Sequence, residues 1–212
     1  MRKGYLAIVF SLVFVNVYSQ QEDFELVRKS EEEKIFIHER WIIFPESDPP
    51  VKAREVKSDF VIRCTVAEAF ALLRNEKKIQ SWQDHVTEFK VYPTSDSTYW
   101  EEYSYHNIPW PVSDQDHYLQ YQIEKISTPD KIHITFKSKV DDKRAPVRDG
   151  VTRMTLYGTW TLERVDDNTT SASYRILSKP SSIPRIFTDP VIRNNLMTTI
   201  RSLIAVLEKR KE

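Results

Sequence analysis

The segment that most constrains the fold of this chain is a long amphipathic stretch that follows its last predicted strand. Asp189 is a good helix N-cap, Pro190 is a good first helical residue, and basic residues at 209–211 lie where the helix dipole favours cations. About 20 helical residues span about 30 Å, which is enough to cross a whole β-sheet. One stripe of this predicted helix is apolar, and it contains Ile192, Leu196, Ile200, Leu203 and Leu207.

Most of the chain before this helix has the composition and alternation of β-strands. A capping box that starts at Thr65 predicts one short helix, which extends to about Arg74. The predicted strands are Gln21–Ser30, Lys34–Phe44, Val51–Ile62, His85–Tyr92, Thr98–His106, Asp116–Ile126, Lys131–Lys139, Gly150–Arg164 and Thr170–Leu177. Short turn signals separate them, so the sequence predicts an α+β protein with a curved antiparallel β-sheet wrapped around the long C-terminal α-helix.

The first 19 residues have the pattern of a secretory signal peptide. Arg2 and Lys3 give a positive start, and the apolar run Tyr5–Val17 is shorter than the roughly 20 residues that span a bilayer. Cleavage after Ser19 would leave residues 20–212 as one domain of ordinary size. We therefore predict export to the periplasm or the exterior, with an uncleaved membrane anchor as the alternative.

The charge balance gives no reason to expect nucleic acid as a partner. The chain has 31 basic and 31 acidic residues, so removal of Arg2 and Lys3 leaves 29 against 31 and a net charge of −2. Cys64 is the one cysteine, which excludes an internal disulfide. Stability must therefore come from a hydrophobic core, which a chain of this length can bury.

The residues that could support catalysis or metal binding form no recognised motif. The five histidines do not occur at the spacing of a helical zinc site, although His106 and His117 could meet across a hairpin. Glu101 and Glu102 are adjacent in a predicted strand, so their carboxylates point to opposite faces and are poorly placed for joint acid–base work. We therefore predict no catalytic residues, no metal and no cofactor.

Alternation within the strands predicts which side chains face the helix. In Thr98–His106 the two faces are ambiguous, because aromatic and acidic residues occur on both. The inward residues form either a solid core or the wall of a cavity. The residues predicted to line such a cavity are Tyr121, Ile134, Phe136, Met154, Leu156, Trp160 and Tyr174 from the strands, with Ile192, Leu196 and Ile200 from the helix.

Three segments occur in an order and spacing that resemble a known family. Trp82 follows the short helix, and Asn107–Asp116 has the sequence Asn-Ile-Pro-Trp-Pro-Val-Ser-Asp-Gln-Asp. Tyr174 is then followed by Pro180–Pro184 and the last helix. Together these segments resemble the steroidogenic-acute-regulatory-protein-related lipid transfer (START) family, and the resemblance covers roughly Phe24–Leu207.

This resemblance implies a helix-grip fold, in which a curved antiparallel sheet grips a C-terminal helix over an apolar tunnel. Two departures from the family pattern stand out. The family usually has Arg-Asp where this chain has Gln115-Asp116, and a pair of glycines is common where this chain has Ser181-Ser182.

The resemblance also implies a function, since START relatives bind sterols, phospholipids, ceramides or other apolar molecules. We expect a monomer that binds a lipid or similar ligand, touches membranes transiently and exchanges its ligand by movement of the helix or of the loop Asn107–Ser113. One alternative is a helix-grip enzyme, such as a cyclase or hydrolase, for which Glu102, Arg153 and Arg175 are the first residues to consider. Another is an interaction domain with a filled core.

Overall fold

The computed structural model of the chain describes residues 23–110, 112–180 and 185–209. The predicted leader at residues 1–19 lies outside the described residues, as do Ser181-Ser182 and the basic residues at 210 and 211. Within these described ranges the structure contains two α-helices, α1 (Val66–Leu73) and α2 (Arg185–Glu208), together with a short 3-10 helix at Glu76–Ser81.

The described residues form one curved, ten-stranded sheet. Its strands are β1 (Glu25–Ser30), β2 (Ile35–Ile43), β3 (Lys52–Ile62), β4 (Val86–Pro93), β5 (Tyr99–His106), β6 (Gln115–Ile123), β7 (Lys131–Ser138), β8 (Thr152–Arg153), β9 (Leu156–Asp166) and β10 (Thr169–Ser178). Their order in the sheet is β1-β2-β3-β10-β9-β7-β6-β5-β4, with β8 paired to β6. After β3 the chain passes through α1 to the far edge, and it then returns strand by strand until β10 lies beside β3. Every pairing is antiparallel except that of β8 with β6.

Helix α2 covers the concave face of the sheet, which confirms the predicted α+β helix-grip architecture. Three residues of its apolar stripe, Ile200, Leu203 and Leu207, and the flanking Met197 are almost completely buried, at 1–2% exposure. Two ion pairs also connect α2 to β2 and the turn before it. Arg193 donates two hydrogen bonds to the buried Glu39 at 2.9 and 2.7 Å, and Arg201 contacts Glu33 at 2.6 Å.

Helix α2 begins earlier than the sequence indicates, at Arg185 rather than after Asp189. Pro190 therefore lies in the second turn of the helix instead of at its first position. A proline there removes one backbone hydrogen bond, a cost that packing of the rest of the helix against the sheet can offset. Among the described residues, no helix is both long and apolar enough to cross a membrane.

The predicted strand Gly150–Arg164 is divided in the structure. Residues Thr152–Arg153 form β8 and pair with Gln115–Asp116 of β6, while β9 begins at Leu156. The reason is the register of β6 and β7, which pair only from Leu119 onward and leave the first residues of β6 with a free edge. The short β8 occupies that edge and runs parallel to β6, whereas β9 pairs with β7 and β10.

Gly158 lies on the concave face in the middle of β9, where the structure explains the absence of a side chain. A Cβ atom at this position would lie 2.2 Å from the Phe136 ring and 2.2 Å from the backbone oxygen of Arg175. The space above Gly158 is therefore occupied by Phe136, which is its cross-strand neighbour on β7. A larger residue would displace an aromatic ring of the inner face.

The convex face carries a buried polar cluster centred on Glu101, which is 4% exposed. Its carboxylate accepts hydrogen bonds from Tyr99, at 2.9 Å, and from Tyr118, Lys139 and Arg144. Burial by itself would raise the pKa of Glu101, but the bonds from Lys139, Tyr118 and Tyr99 outweigh it and lower that pKa to about 2. The cluster joins β5 and β6 to the segment that follows β7.

Replacement of Glu101 by glutamine should lower the free energy of unfolding by about 2–3 kcal/mol at pH 7, because four donors lose a charged acceptor. The Glu101 pKa is below its ordinary value of 4.5, so its contribution is complete above that pH and decreases as the pH falls towards 2. Urea unfolding of both proteins at pH 7 and pH 3 checks this. A difference that is as large at pH 3 as at pH 7 would contradict it.

Candidate ligand-binding cavity

A cavity of about 510 Å³ lies between the concave face of the sheet and the Ile192–Leu203 part of α2. Its volume is within the range of pockets that hold one small organic ligand, about 300–1,000 Å³. The structure places all ten residues predicted for the wall around this cavity. They are Tyr121, Ile134, Phe136, Met154, Leu156, Trp160, Tyr174, Ile192, Leu196 and Ile200.

Aromatic rings form a continuous band along one side of the wall. Trp160 stacks on Tyr174 with ring centroids 4.2 Å apart, and Tyr174 lies 6.1 Å from Phe136. Phe136 lies 5.2 Å from Tyr121, which stacks on Trp100 at 4.9 Å. The band follows neighbouring strands because these residues share one face of the sheet and lie opposite or diagonal to one another.

The structure settles the ambiguous facing of β5. Trp100 pairs with Tyr121 and Glu102 pairs with Leu119, so their side chains share the concave face with those inward residues. Ser104 and His106 lie on the same face and also border the cavity. Sequence reasoning left this strand undecided, because Tyr99, Tyr103 and Tyr105 on the other face give it equal hydrophobicity.

Several further wall residues were not among the predicted ten. Strand alternation predicts that Leu119 and Ile176 face inward. It makes no prediction for Trp82, Val86 and Ile108, which lie in connecting segments or at the end of a strand. The additional residues that border the cavity include Val56, Leu73, Trp82, Val86, Phe89, Trp100, Ile108, Leu119, Ile176 and Leu203.

Glu102 is the acidic group deepest in the wall, and it is 7% exposed. The Tyr121 hydroxyl donates to its Oε1 atom at 3.2 Å, and His117 Nε2 lies 3.9 Å from the same oxygen. Burial raises the pKa of Glu102 to about 8, although the bond from Tyr121 partly opposes the change. At neutral pH this carboxyl group is therefore mostly protonated and uncharged.

His106 and His117 meet across the β5–β6 hairpin, with ring centroids 5.1 Å apart. Burial lowers the pKa of His106 to about 3 and that of His117 to about 4, so both imidazoles are neutral at physiological pH. His106 Nε2 lies 3.1 Å from the hydroxyl of Ser104. The described residues contain no cluster of three or more groups that could hold a metal ion.

Two residues considered for an enzymatic site do not face the cavity. Arg153 binds Asp116 with two hydrogen bonds of 2.6 and 2.9 Å, and this pair lies beside Tyr103 on the convex side. Arg175 contacts Glu55 at 2.9 Å, also on the convex side. Asp116, which follows Gln115, is thus paired with Arg153 of β8. This contact could not be predicted from the sequence, because the two residues are far apart in the chain.

Comparison with known proteins agrees with this architecture. No family model matches the chain. An uncharacterized protein of Pseudomonas aeruginosa is 27% identical over 152 residues, which cover 70% of this chain and 73% of that protein. Human StAR-related lipid transfer protein 5 superimposes with a TM-score of 0.73 at 12% identity, covering 92% of this chain and 90% of the human one.

The chain has the START helix-grip fold. A bacterial START structure, the STAR-related lipid transfer protein (fragment 25–204) from Xanthomonas axonopodis, superimposes with a TM-score of 0.70 at 21% identity. It covers 88% of this chain and 99% of its own. The Zhui aromatase/cyclase from Streptomyces gives a TM-score of 0.56 at 10% identity, covering 76% of this chain and 96% of the cyclase. The START fold therefore supports both binding proteins and enzymes.

Replacement of Glu102 by glutamine should raise stability at alkaline pH. The pKa of Glu102 is higher in the folded protein than its ordinary value of 4.5, so the native protein loses stability as the pH rises from 4.5 to about 8. Glutamine cannot ionise, so the variant should be more stable than the native protein by about 2–4 kcal/mol at pH 8.5 and nearly equal at pH 4.5. Urea unfolding at both pH values measures this, and a difference that is independent of pH would refute it.

Proposed function

We propose that this protein binds one molecule of a lipid or similar apolar compound in the cavity beneath α2, without covalent chemistry. The observation that carries the proposal is an internal space of about 510 Å³ with a largely apolar and aromatic wall. Removal of apolar ligand surface from water would supply the affinity, at about 25 cal/mol per Å². Support also comes from the Xanthomonas and human structures, whose names describe lipid transfer proteins.

Ligand exchange is proposed to occur at the first half of α2 and the adjoining loop 107–113. Ile192 and Leu196 are only partly buried, in contrast to the 1–2% exposure of Met197, Ile200, Leu203 and Leu207. Ile108 borders the cavity, and two residues later Trp110 is 91% exposed. An exposed tryptophan beside a cavity suits contact with a membrane interface, where amphipathic rings are stable.

The cellular setting is proposed from the sequence. Residues 1–19 would direct export, so that the protein acts in the periplasm or outside the cell. We also propose that it acts as a monomer and does not bind nucleic acid, in keeping with its nearly balanced charge.

A helix-grip enzyme is the second candidate, and Glu102 is the observation that favours it. A buried acid with a raised pKa in a cavity is characteristic of a general acid. We favour binding because Arg153 and Arg175, the other groups considered for catalysis, point away from the cavity into ion pairs. Recovery of a chemically altered ligand after incubation would favour the enzyme instead.

Native mass spectrometry of the purified protein, followed by organic extraction, should reveal an apolar molecule in stoichiometric amount or its uptake when added.

Replacement of Leu196 by tryptophan should fill part of the cavity and weaken binding of the hydrocarbon dye diphenylhexatriene by about tenfold or more, because a wall position loses ligand space. The matched control is Asn194→Trp, at an exposed position of the same helix. A native protein that binds neither dye nor lipid would overturn the proposal.

Replacement of Trp110 by alanine should reduce binding to phospholipid vesicles by about fivefold or more, since an exposed indole would no longer enter the interface. Co-sedimentation with vesicles measures the effect, and dye binding in the absence of vesicles should stay unchanged. Val165→Ala, at a residue that is 61% exposed on β9, is the control. Equal vesicle binding by all three proteins would exclude Trp110 as a membrane contact.

A further inference from the structure

One end of the cavity is polar, although most of the wall is apolar. Glu102, Ser104, His106 and His117 lie together there, because β5 and β6 place Ser104 opposite His117 on the concave face. The Tyr121 hydroxyl, bound to Glu102, marks the boundary with the aromatic band. Apolar residues could have filled these positions, so the presence of polar side chains in this part of the wall needs an explanation.

The hydrogen-bonding capacity at this wall is not filled by the described protein. Trp82 Nε1, Trp100 Nε1 and His117 Nδ1 are buried and have no hydrogen-bond partner, and all three residues border the cavity. Trp100 is 2% exposed and His117 is 8% exposed, so bulk water does not satisfy them. A buried donor or acceptor without a partner costs about 1–3 kcal/mol, which a ligand group could recover.

The electrostatics of the wall disfavour an anion. Among the described residues that border the cavity, the side chains able to carry charge near neutral pH are Asp84, His85, Glu102, His106 and His117, and none is lysine or arginine. Asp84 is exposed and acidic. Burial keeps Glu102 protonated and both His106 and His117 neutral. The Arg74 guanidinium stacks on the Trp100 ring, with its Cζ atom 4.5 Å from the ring centroid, but Arg74 does not border the cavity. A carboxylate or phosphate placed beside Glu102 and His117 would therefore be buried with no lysine or arginine of the cavity wall to pair with, which is costly.

We propose that Glu102, His117 and Trp100 form a polar subsite that accepts an uncharged hydroxyl group on an otherwise apolar ligand and rejects anionic amphiphiles. A hydroxyl group both donates and accepts, so it can complement an indole N–H, an imidazole nitrogen or a protonated carboxyl group. The apolar remainder of the ligand would lie along the aromatic band. This inference rests on the proposed binding function and specifies the ligand class for it.

The test compares two probes of equal chain length, dodecanol and dodecanoate, in displacement of diphenylhexatriene at pH 7. The native protein should bind the alcohol about 100-fold more tightly, because the acid must either be buried as an anion or be protonated well above its ordinary pKa. This comparison uses only the native protein. Equal or tighter binding of dodecanoate would overturn the subsite.

Variants then test which residues recognise the hydroxyl group. His117→Phe and Glu102→Leu should each lower the ratio of dodecanol affinity to dye affinity by about three- to tenfold, the value of one hydrogen bond. His133→Phe is the matched control, because His133 bonds Thr161 on the convex face and does not border the cavity. It should change neither affinity.

Two further outcomes distinguish failure of the polar subsite from failure of the binding function. If the substitutions weaken the dye and the alcohol equally, the loss reflects the general shape of the cavity, and the polar subsite is overturned while the binding function stands. If dye, alcohol and acid all fail to bind the native protein, the binding function itself is overturned, and the subsite with it. Circular dichroism of each variant establishes that it has folded.

Discussion

A single helix covers the concave face of a ten-stranded sheet, and the uneven packing of that helix determines what the protein can do. Helix α2 lies over an internal space from Ile192 to Leu203, where seven of its residues border the cavity. Met197 and, in the last turn, Leu207 do not border the cavity and are buried in the hydrophobic core. A helix packed tightly along its whole length would leave only a solid core, and one packed loosely along its whole length would not cover the sheet. The observed arrangement combines a fixed end with a cavity.

The two faces of the sheet use the same residue type in opposite ways. Glu101 and Glu102 are neighbours on β5, and alternation sends their carboxyl groups to opposite sides. On the convex face Glu101 is surrounded by donors, and its pKa falls to about 2. On the concave face Glu102 is buried with one hydroxyl donor, and its pKa rises to about 8. One carboxyl group stabilises the outer surface as an anion, while the other gives the cavity a neutral polar group.

The elements were largely predictable because their signals are local. Alternation located most of the strands, and the capping box at Thr65 forms as expected, with reciprocal bonds of 3.2 and 2.8 Å between Thr65 and Glu68. The predicted start of α2 was wrong. Asp189 and Pro190 have the pattern of a helix N-terminus, but the helix begins earlier, at Arg185. The prediction of one undivided strand over Gly150–Arg164 was also wrong. Residues of β8 pair with a free edge of β6, which is distant in the chain.

Local sequence patterns were enough to predict the class of fold and the inward residues of strands with clear alternation, since side-chain direction in a strand has a period of two. All seven wall residues chosen from strand alternation border the cavity, as do the three chosen from the apolar stripe of the helix. Whether the inward face encloses a space could be seen only in the folded structure, because it depends on how far α2 stands from the sheet. The tertiary structure also decided the facing of β5 and directed Arg153 and Arg175 away from the cavity. These outcomes depend on contacts between residues far apart in sequence, which no local pattern records.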